Sequence, residues 1–245
     1  MELRYLLAIA LLVVAATPGA AACHNQNFKG STYTVCEFDA RKDKIALFNL
    51  DGSGQPYGGF SPLRQDLAAK GNTLMFAMNG GMFGTDLRPI GLYVENGKMM
   101  HKASRAGGSG NFHLKPNGVF WVAGEKAGVT ETEAYLKSGL KPDFATQSGP
   151  MLVVGGAIHP KLSPTGTSVK IRNGVGVVDD HTVEFVISDN LVTFHDFASL
   201  FLDILKCRNA LFLDGSVSSL YAPELGRSDF LARLGPMVGV TAPAK

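Results

Sequence analysis

Apolar positions in this chain fall mostly in short runs broken by Gly, Asn and Asp, the rhythm of strands rather than helices. Thr32 to Phe38 and Lys44 to Leu50 are rich in β-branched, aromatic and aliphatic residues, and the second stops at Asp51-Gly52. Thr73 to Met78 is nearly continuous in apolar residues, as a strand buried on both faces requires. Ile90 to Glu95 and Lys98 to His101 flank Asn96-Gly97, a hairpin signal, because both turn positions tolerate positive φ. Met151 to Val154 and Ala157 to His159 flank Gly155-Gly156 in the same way, and Gly174 to Val178 and Thr182 to Ser188 flank Asp179-Asp180-His181. The period lengthens in two places. Ser61-Pro62, followed by Leu63, Leu67 and Ala68, reads as a cap, a first-turn proline and a short helix ending at Gly71. Thr193 opens a stronger helix whose Phe194, Phe197, Leu200, Phe201, Ile204 and Leu205 form one apolar stripe, with Thr193 and Asp196 as an acidic capping box. Ala210 to Leu213 then forms a short strand that Asp214-Gly215 ends. The expected fold class is α+β: a single domain with a mixed, largely antiparallel sheet and few helices.

The start of the chain departs from this pattern. Glu2 and Arg4 precede an unbroken apolar run from Tyr5 to Ala16, and small residues with Ala20 and Ala22 at A-x-A positions follow. This reads as a secretory signal over 1–22, cut near Ala22, and it is too short for a membrane span. The mature domain is then 23–245, with no repeat, low-complexity tract or long linker. Export to the periplasm or the medium is expected. Among 245 residues, 45% are hydrophobic and 18% charged, enough apolar surface for a core and too little charge for disorder. A net charge of +2 without a Lys/Arg run gives no support to a nucleic-acid groove.

Cys23, Cys36 and Cys207 are the only cysteines. A disulfide between Cys23 and Cys36 would pin the mature N-terminus, leaving Cys207 as a small buried hydrophobe. The alternative is a lipid anchor at Cys23, although Ala20 stands where a lipoprotein signal carries a larger aliphatic residue.

Four polar, Gly-rich patches interrupt the apolar strands: Asn79-Gly80-Gly81-Met82-Phe83, Gln147-Ser148-Gly149-Pro150, Lys170-Ile171-Arg172-Asn173-Gly174 and Asp214-Gly215-Ser216-Val217-Ser218-Ser219. Glycines let a ligand approach the backbone, and short polar side chains at strand ends supply fixed hydrogen bonds. A turn would explain any one patch alone. Arg172 is able to bind two phosphate oxygens at once, or else pairs at the surface with Asp179 or Asp180. Asp214 is either a turn residue or a carboxylate set at a strand end for chemistry.

In this order the patches resemble the phosphodiester glycosidase family. The resemblance spans roughly Tyr33 to Tyr221. Its Asn-Gly-Gly-Phe-Phe-type element is matched by Asn79 to Phe83 with Met82 in fourth place, and its Gly-Pro element by Gly149-Pro150. An Arg before a Gly-bearing strand is matched by Arg172 to Gly176. A helix, a strand and Asp-Gly-Gly-Gly-Ser are matched by Phe194 to Leu205 and Asp214 to Ser219, with Ser216 and Val217 in place of two glycines. The resemblance implies hydrolysis of a glycosyl 1-phosphodiester with release of the sugar. On that reading Asp214 and Arg172 are catalytic, while Asn79, Gly80, Gly81, Gln147, Ser148, Gly149, Gly215, Ser216 and Ser218 bind the substrate. The implied partner is a sugar phosphodiester or phosphorylated glycan.

Other chemistries are weaker. Gly215 to Ser219 lacks the last Gly of a nucleophile elbow, and Arg105 to Gly110 lacks the Gly-Lys-Ser/Thr of a nucleotide cradle. His24, His101, His113, His159, His181 and His195 show no metal-type spacing, so neither a metal nor another cofactor is expected. His195, near the helix start, is within conceivable reach of Asp214. The competing function is a non-catalytic envelope protein that binds glycan phosphates. A lipid-anchored structural protein is a third.

Overall fold

The computed structural model describes residues 22–230 and 232–244. In chain order its strands are β1 (Ala22–Phe28), β2 (Ser31–Asp39), β3 (Lys44–Phe48), β4 (Asn72–Asn79), β5 (Tyr93–Glu95) and β6 (Lys98–His101). There follow β7 (Gly118–Ala123), β8 (Lys126–Glu131), β9 (Phe144–Ser148), β10 (Met151–Val154), β11 (Ala157–Ile158) and β12 (Asn173–Val177). β13 (Thr182–Ser188), β14 (Asn209–Asp214), β15 (Leu220–Ala222), β16 (Arg227–Ser228) and β17 (Met237–Pro243) complete the described strands. The α-helices are α1 (Phe60–Ala69), α2 (Thr132–Ser138) and α3 (Phe194–Ser199).

The strands form three sheets, in the orders β1-β2-β13-β12-β14-β10-β11, β16-β15-β4-β17-β3 and β6-β5-β9-β7-β8. Every pairing between described strands is antiparallel, which makes the fold α+β with little helix. One core lies where the inner faces of all three sheets meet. Phe38 and Phe185 enter it from the seven-stranded sheet, Phe76 from β4 and Phe120 from β7. Their ring centroids lie 4.9 Å (Phe38–Phe76), 5.2 Å (Phe76–Phe185) and 5.7 Å (Phe120–Phe185) apart. Such tilted pairs add about 0.5–1.5 kcal/mol each beyond the area they bury.

Helices cover the outer faces. Phe197 and Phe201 of the α3 segment pack on Tyr33, Leu152, Val186 and Phe212. Thr193 caps α3 as its sequence predicts: its Oγ1 accepts the Asp196 N–H at 3.0 Å and donates to the Asp196 carboxylate at 2.8 Å. The apolar stripe continues past α3 in a wider, π-helical turn over Leu200–Ile204, where Leu205 N–H reaches back to Leu200 O. α1 starts at Phe60 with Gly59 at the cap position and no side-chain cap bond, so Ser61 lies inside the first turn instead of capping it. The β7–β8 hairpin and α2 were not legible as elements. α2 has 7 residues, too few to show a period, and its cap is the Glu131 carboxylate accepting from Ala134 N–H at 2.9 Å.

β4 is buried on both faces, with Leu74 and Ala77 against α1 and Phe76 and Met78 in the central core. Asn96 and Gly97 both have positive φ, 51° and 73°, so the predicted hairpin turn forms between β5 and β6. Cys23 and Cys36 face each other across β1 and β2 and are joined as a disulfide. That bond occupies the sulfur that a lipid thioether would need. Cys207 is free and buried. No described helix is long and apolar enough to cross a membrane, and the expected signal at 1–22 lies almost wholly outside the described residues.

Candidate active site

The ends of four strands, drawn from all three sheets, meet at one edge of the core: Asn79 (β4), Ser148 (β9), Asn173 (β12) and Asp214 (β14). Asn79 and Asn173 are both fully buried and interlock. Asn79 Nδ2 donates to Asn173 Oδ1 at 3.2 Å, and Asn173 Nδ2 donates to the Asn79 carbonyl at 2.9 Å. Asn79 Oδ1 accepts the Ser219 N–H at 3.0 Å. Ser218 Oγ lies 3.1 Å from the Asp214 carbonyl and 3.2 Å from the Ile171 carbonyl. Ser148 donates to the Leu213 carbonyl at 3.1 Å. A buried amide cannot leave these groups unmatched without a cost of about 1–3 kcal/mol, so the network fixes the 214–219 loop against both neighbouring sheets.

That loop presents Asp214. The residue is 8% exposed, and its Oδ1 accepts the backbone N–H groups of Ser216 and Val217. Oδ2 accepts no hydrogen bond from a described residue. Burial pushes the carboxyl above its ordinary range, against the pull of the N–H groups, and no described cation pairs with it. Asp214 borders a cleft of about 440 Å³, together with Gly215, Ser216, Val217, Met82, Phe83, Ile90, Gly110 and Asn111. The cleft is therefore a polar edge facing an apolar wall, with one acid and no Lys or Arg. A larger cavity of about 660 Å³ lies elsewhere, lined by residues that include Leu92, Val94, Tyr135 and Leu140, and holds none of the sequence-predicted site residues.

The remaining predicted residues divide by what they touch. Gly215 and Ser216 line the cleft, whereas Ser218 supports it from below. Gly80 lies against β17, where an added Cβ would come 2.7 Å from Val238 N. Gly81 has φ 143°, and a Cβ there would come 2.6 Å from Thr146 Oγ1, so both glycines serve close packing of the Asn79 turn. Gln147 is fully engaged. Its Oε1 accepts from Leu92 and Ser104 N–H at 3.0 and 2.9 Å, and its Nε2 donates to Ser104 O at 2.8 Å and lies 3.3 Å from Thr132 Oγ1. It ties the 92–104 segment to β9. Gly149 packs beside Asn117 and the Phe112 and Asn111 carbonyls, where an added Cβ would come within 2.7–3.3 Å of them.

Arg172 is 1% exposed and does not line the cleft. Its guanidinium lies 3.6 Å from the Phe194 ring centroid and 5.6 Å from that of Phe212, with Nε donating to Val192 O and Nη2 to Ser168 O. Burial lowers its pKa to about 10, still a cation at neutral pH. The surface pair with Asp179 or Asp180 does not form. Those two acids sit in the exposed β12–β13 turn with His181, and Asp180 pairs with Lys126 at 2.9 Å. His195 Nδ1 lies 3.5 Å from Ser199 Oγ and makes no hydrogen bond to Asp214. The residues that went unmarked are Asn173, inside the third patch but overshadowed by Arg172, and Asn111 with Ile90 at the cleft. Asn111 closes a Gly-rich run whose only sequence signal was its lack of a nucleotide motif.

Comparison with known proteins identifies the family and the fold. The phosphodiester glycosidase family model matches residues 72–233, the stretch that holds all four patches, and the chain belongs to that family. YigE, an uncharacterized protein of Escherichia coli (strain K12), is 35% identical over 219 residues, covering 89% of this chain and 84% of that one. Among solved structures, the zebrafish N-acetylglucosamine-1-phosphodiester α-N-acetylglucosaminidase catalytic domain, auto-inhibited by its pro-peptide, matches with a TM-score of 0.60. The identity is 15%, over 89% of this chain and 81% of that one. A hypothetical protein from Synechocystis matches with a TM-score of 0.54 at 15% identity, over 90% of this chain and 61% of that one.

Proposed function

We propose that this protein is an exported glycosidase that hydrolyses a glycosyl 1-phosphodiester, with Asp214 as its reactive carboxyl. The observation that carries this reading is a lone, desolvated acid held by backbone N–H groups at the edge of a sugar-sized cleft. A sugar carried on phosphate has a good leaving group already, so strong general-acid help from a second carboxyl is less necessary than for an ordinary glycoside. Water adds to the anomeric carbon as the carbon–oxygen bond to phosphate breaks, and the bonding electrons leave with the phosphate oxygen. Asp214 takes the proton of the attacking water and its charge faces the oxocarbenium-like centre. Met82, Phe83 and Ile90 offer the apolar wall that a sugar ring's C–H face packs on, while Ser216 and Asn111 bind hydroxyls.

Asn79, Gly80, Gly81, Gln147, Ser148, Gly149 and Ser218 act in this reading as the frame beneath the loop. Arg172 is a positioning residue: it anchors the segment whose Ile171 carbonyl and Asn173 amide hold Ser218. Export is supported by the Cys23–Cys36 disulfide, which persists in oxidising compartments. Ser216 and Val217, bulkier than the family's glycines, favour the alternative of a glycan-phosphate binder without turnover. A sugar-release assay with an N-acetylglucosamine 1-phosphodiester separates the two. Turnover that falls at least a hundredfold in Asp214→Asn, with the fold intact, supports the enzyme; saturable binding without release from the wild type supports the binder. Arg172→Met should lower kcat more than it raises KM, as expected of a residue that does not touch substrate.

A further inference from the structure

The cleft poses a charge problem. A phosphodiester brings a negative charge to a site that already holds Asp214 and whose lining contains no Lys or Arg, while the Arg172 guanidinium is stacked away on Phe194. We propose that the segment from Arg105 to Asn111 is the phosphate-recognition element of this site, binding the diester oxygens through its backbone N–H groups. The inference rests on the glycosidase reading for the identity of the substrate, and on three observations for the location.

First, the segment ends in the cleft, since Gly110 and Asn111 form part of the same wall as Asp214. Second, none of the backbone N–H groups of Arg105, Ala106, Gly107, Gly108, Ser109 and Gly110 donates to another described residue, although their neighbours Ser104 and His113 both do. The carbonyls at both ends of the segment are engaged, Arg105 O by Lys115 Nζ at 3.0 Å, Ala106 O by the His113 ring at 3.1 Å and Gly110 O by His113 N–H at 3.2 Å. The segment thus has its end carbonyls tied down and a run of successive N–H donors open, the donors an anion requires. Third, Asp214 is itself nine-tenths buried and borders the same space with an oxygen that accepts no hydrogen bond from a described residue. A ligand between the two must offer acceptors to one side and an electrophilic carbon or a hydroxyl to the other, and a glycosyl phosphodiester does both.

Both ends of the segment are anchored. Gln147 holds Ser104 by its N–H and its carbonyl, and Asn117 Nδ2 holds Phe112 O at 2.9 Å. Glycines at 107 and 110 leave the backbone uncovered between these anchors, and Gly108 packs against the His113 ring. Neutral N–H donors suit this site better than a cation would, because a Lys or Arg here would pair with Asp214 and lower its pKa, weakening it as a base.

Amide hydrogen exchange of the whole mature protein, with and without inorganic phosphate and methyl phosphate, tests the assignment. Phosphate should slow exchange across 105–111. Unchanged exchange there, or slowing confined to 168–173 beside Arg172, would overturn it. A second arm compares Gly107→Pro with Gly107→Ala, since position 107 has open space for a Cβ and only proline removes the N–H. The preference for a phosphodiester over a p-nitrophenyl glycoside of the same sugar should fall about tenfold in the proline variant relative to the alanine variant, the value of one hydrogen bond to a charged acceptor. Equal preference in the two variants would contradict the proposal. If the wild type releases no sugar while phosphate still protects 105–111, the glycosidase reading fails and the phosphate site stands.

Discussion

Asp214 and Glu184 are both buried acids pushed above their ordinary range, and they differ in what holds them. Asp214 accepts two N–H groups on one oxygen and borders the cleft, whereas Glu184 lies directly across from Glu37 in the β2–β13 ladder with Oε2 unpartnered. Burial, then the Glu37 charge, pushes Glu184 to about 8. A carboxyl with a raised folded pKa stabilises the fold relatively at low pH and loses that contribution as pH rises through the folded value. The melting temperature should therefore decline as pH rises from 4.5 toward about 8, and Glu184→Gln should flatten the decline. A thermal-melt series at several pH values checks this, and a wild-type profile flat over that window contradicts it. Asp214→Asn keeps the oxygen that accepts Ser216 and Val217 N–H and removes a desolvated charge, so at neutral pH it should be at least as stable as the wild type while losing activity. In the wild type, activity should rise with pH along a limb set above the ordinary carboxylate range.

At the scale of elements, the loop carrying Asp214 is only as rigid as the amides beneath it. Asn79→Ala and Asn173→Ala should each cost about 1–3 kcal/mol by chemical denaturation, and the double variant should cost less than the sum, because either single change already breaks the Asn79 Nδ2–Asn173 Oδ1 bond. Additive costs would mean the two amides act independently. The Cys23–Cys36 bond closes a short loop, with a sequence separation of 13, and ties β1, the edge strand of the largest sheet, to β2. Its removal in a Cys23→Ser, Cys36→Ser protein should lower stability by about 2–3 kcal/mol. What was legible at this scale follows from local chemistry. The Asn96-Gly97 and Gly155-Gly156 turns and the Thr193 cap depend on residues within a few positions, and all formed. The roles of Gln147 and Arg172 depend on Leu92, Ser104, Val192 and Phe194, brought near by sheet packing that no local pattern encodes. Asp214 stood out at its strand end, but its burial and its missing counter-charge are properties of three sheets meeting.

The whole molecule uses that meeting point twice. The Phe38, Phe76, Phe120 and Phe185 cluster holds the sheets together, and at one edge of it the strand ends supply Asn79, Ser148, Asn173 and Asp214. Sequence order alone placed the four polar patches in one family pattern, while the division between frame and cleft emerged only from the packed sheets. The central claim is that this edge hydrolyses a glycosyl phosphodiester through Asp214. The most direct test is release of free sugar from an N-acetylglucosamine 1-phosphodiester by the protein, measured beside Asp214→Asn at matched folded concentration. The account predicts catalytic release by the wild type and a loss of at least a hundredfold in the variant. Release that survives unchanged in Asp214→Asn would remove the carboxyl from the mechanism, and no release from a folded wild type that binds the diester would contradict the enzyme itself.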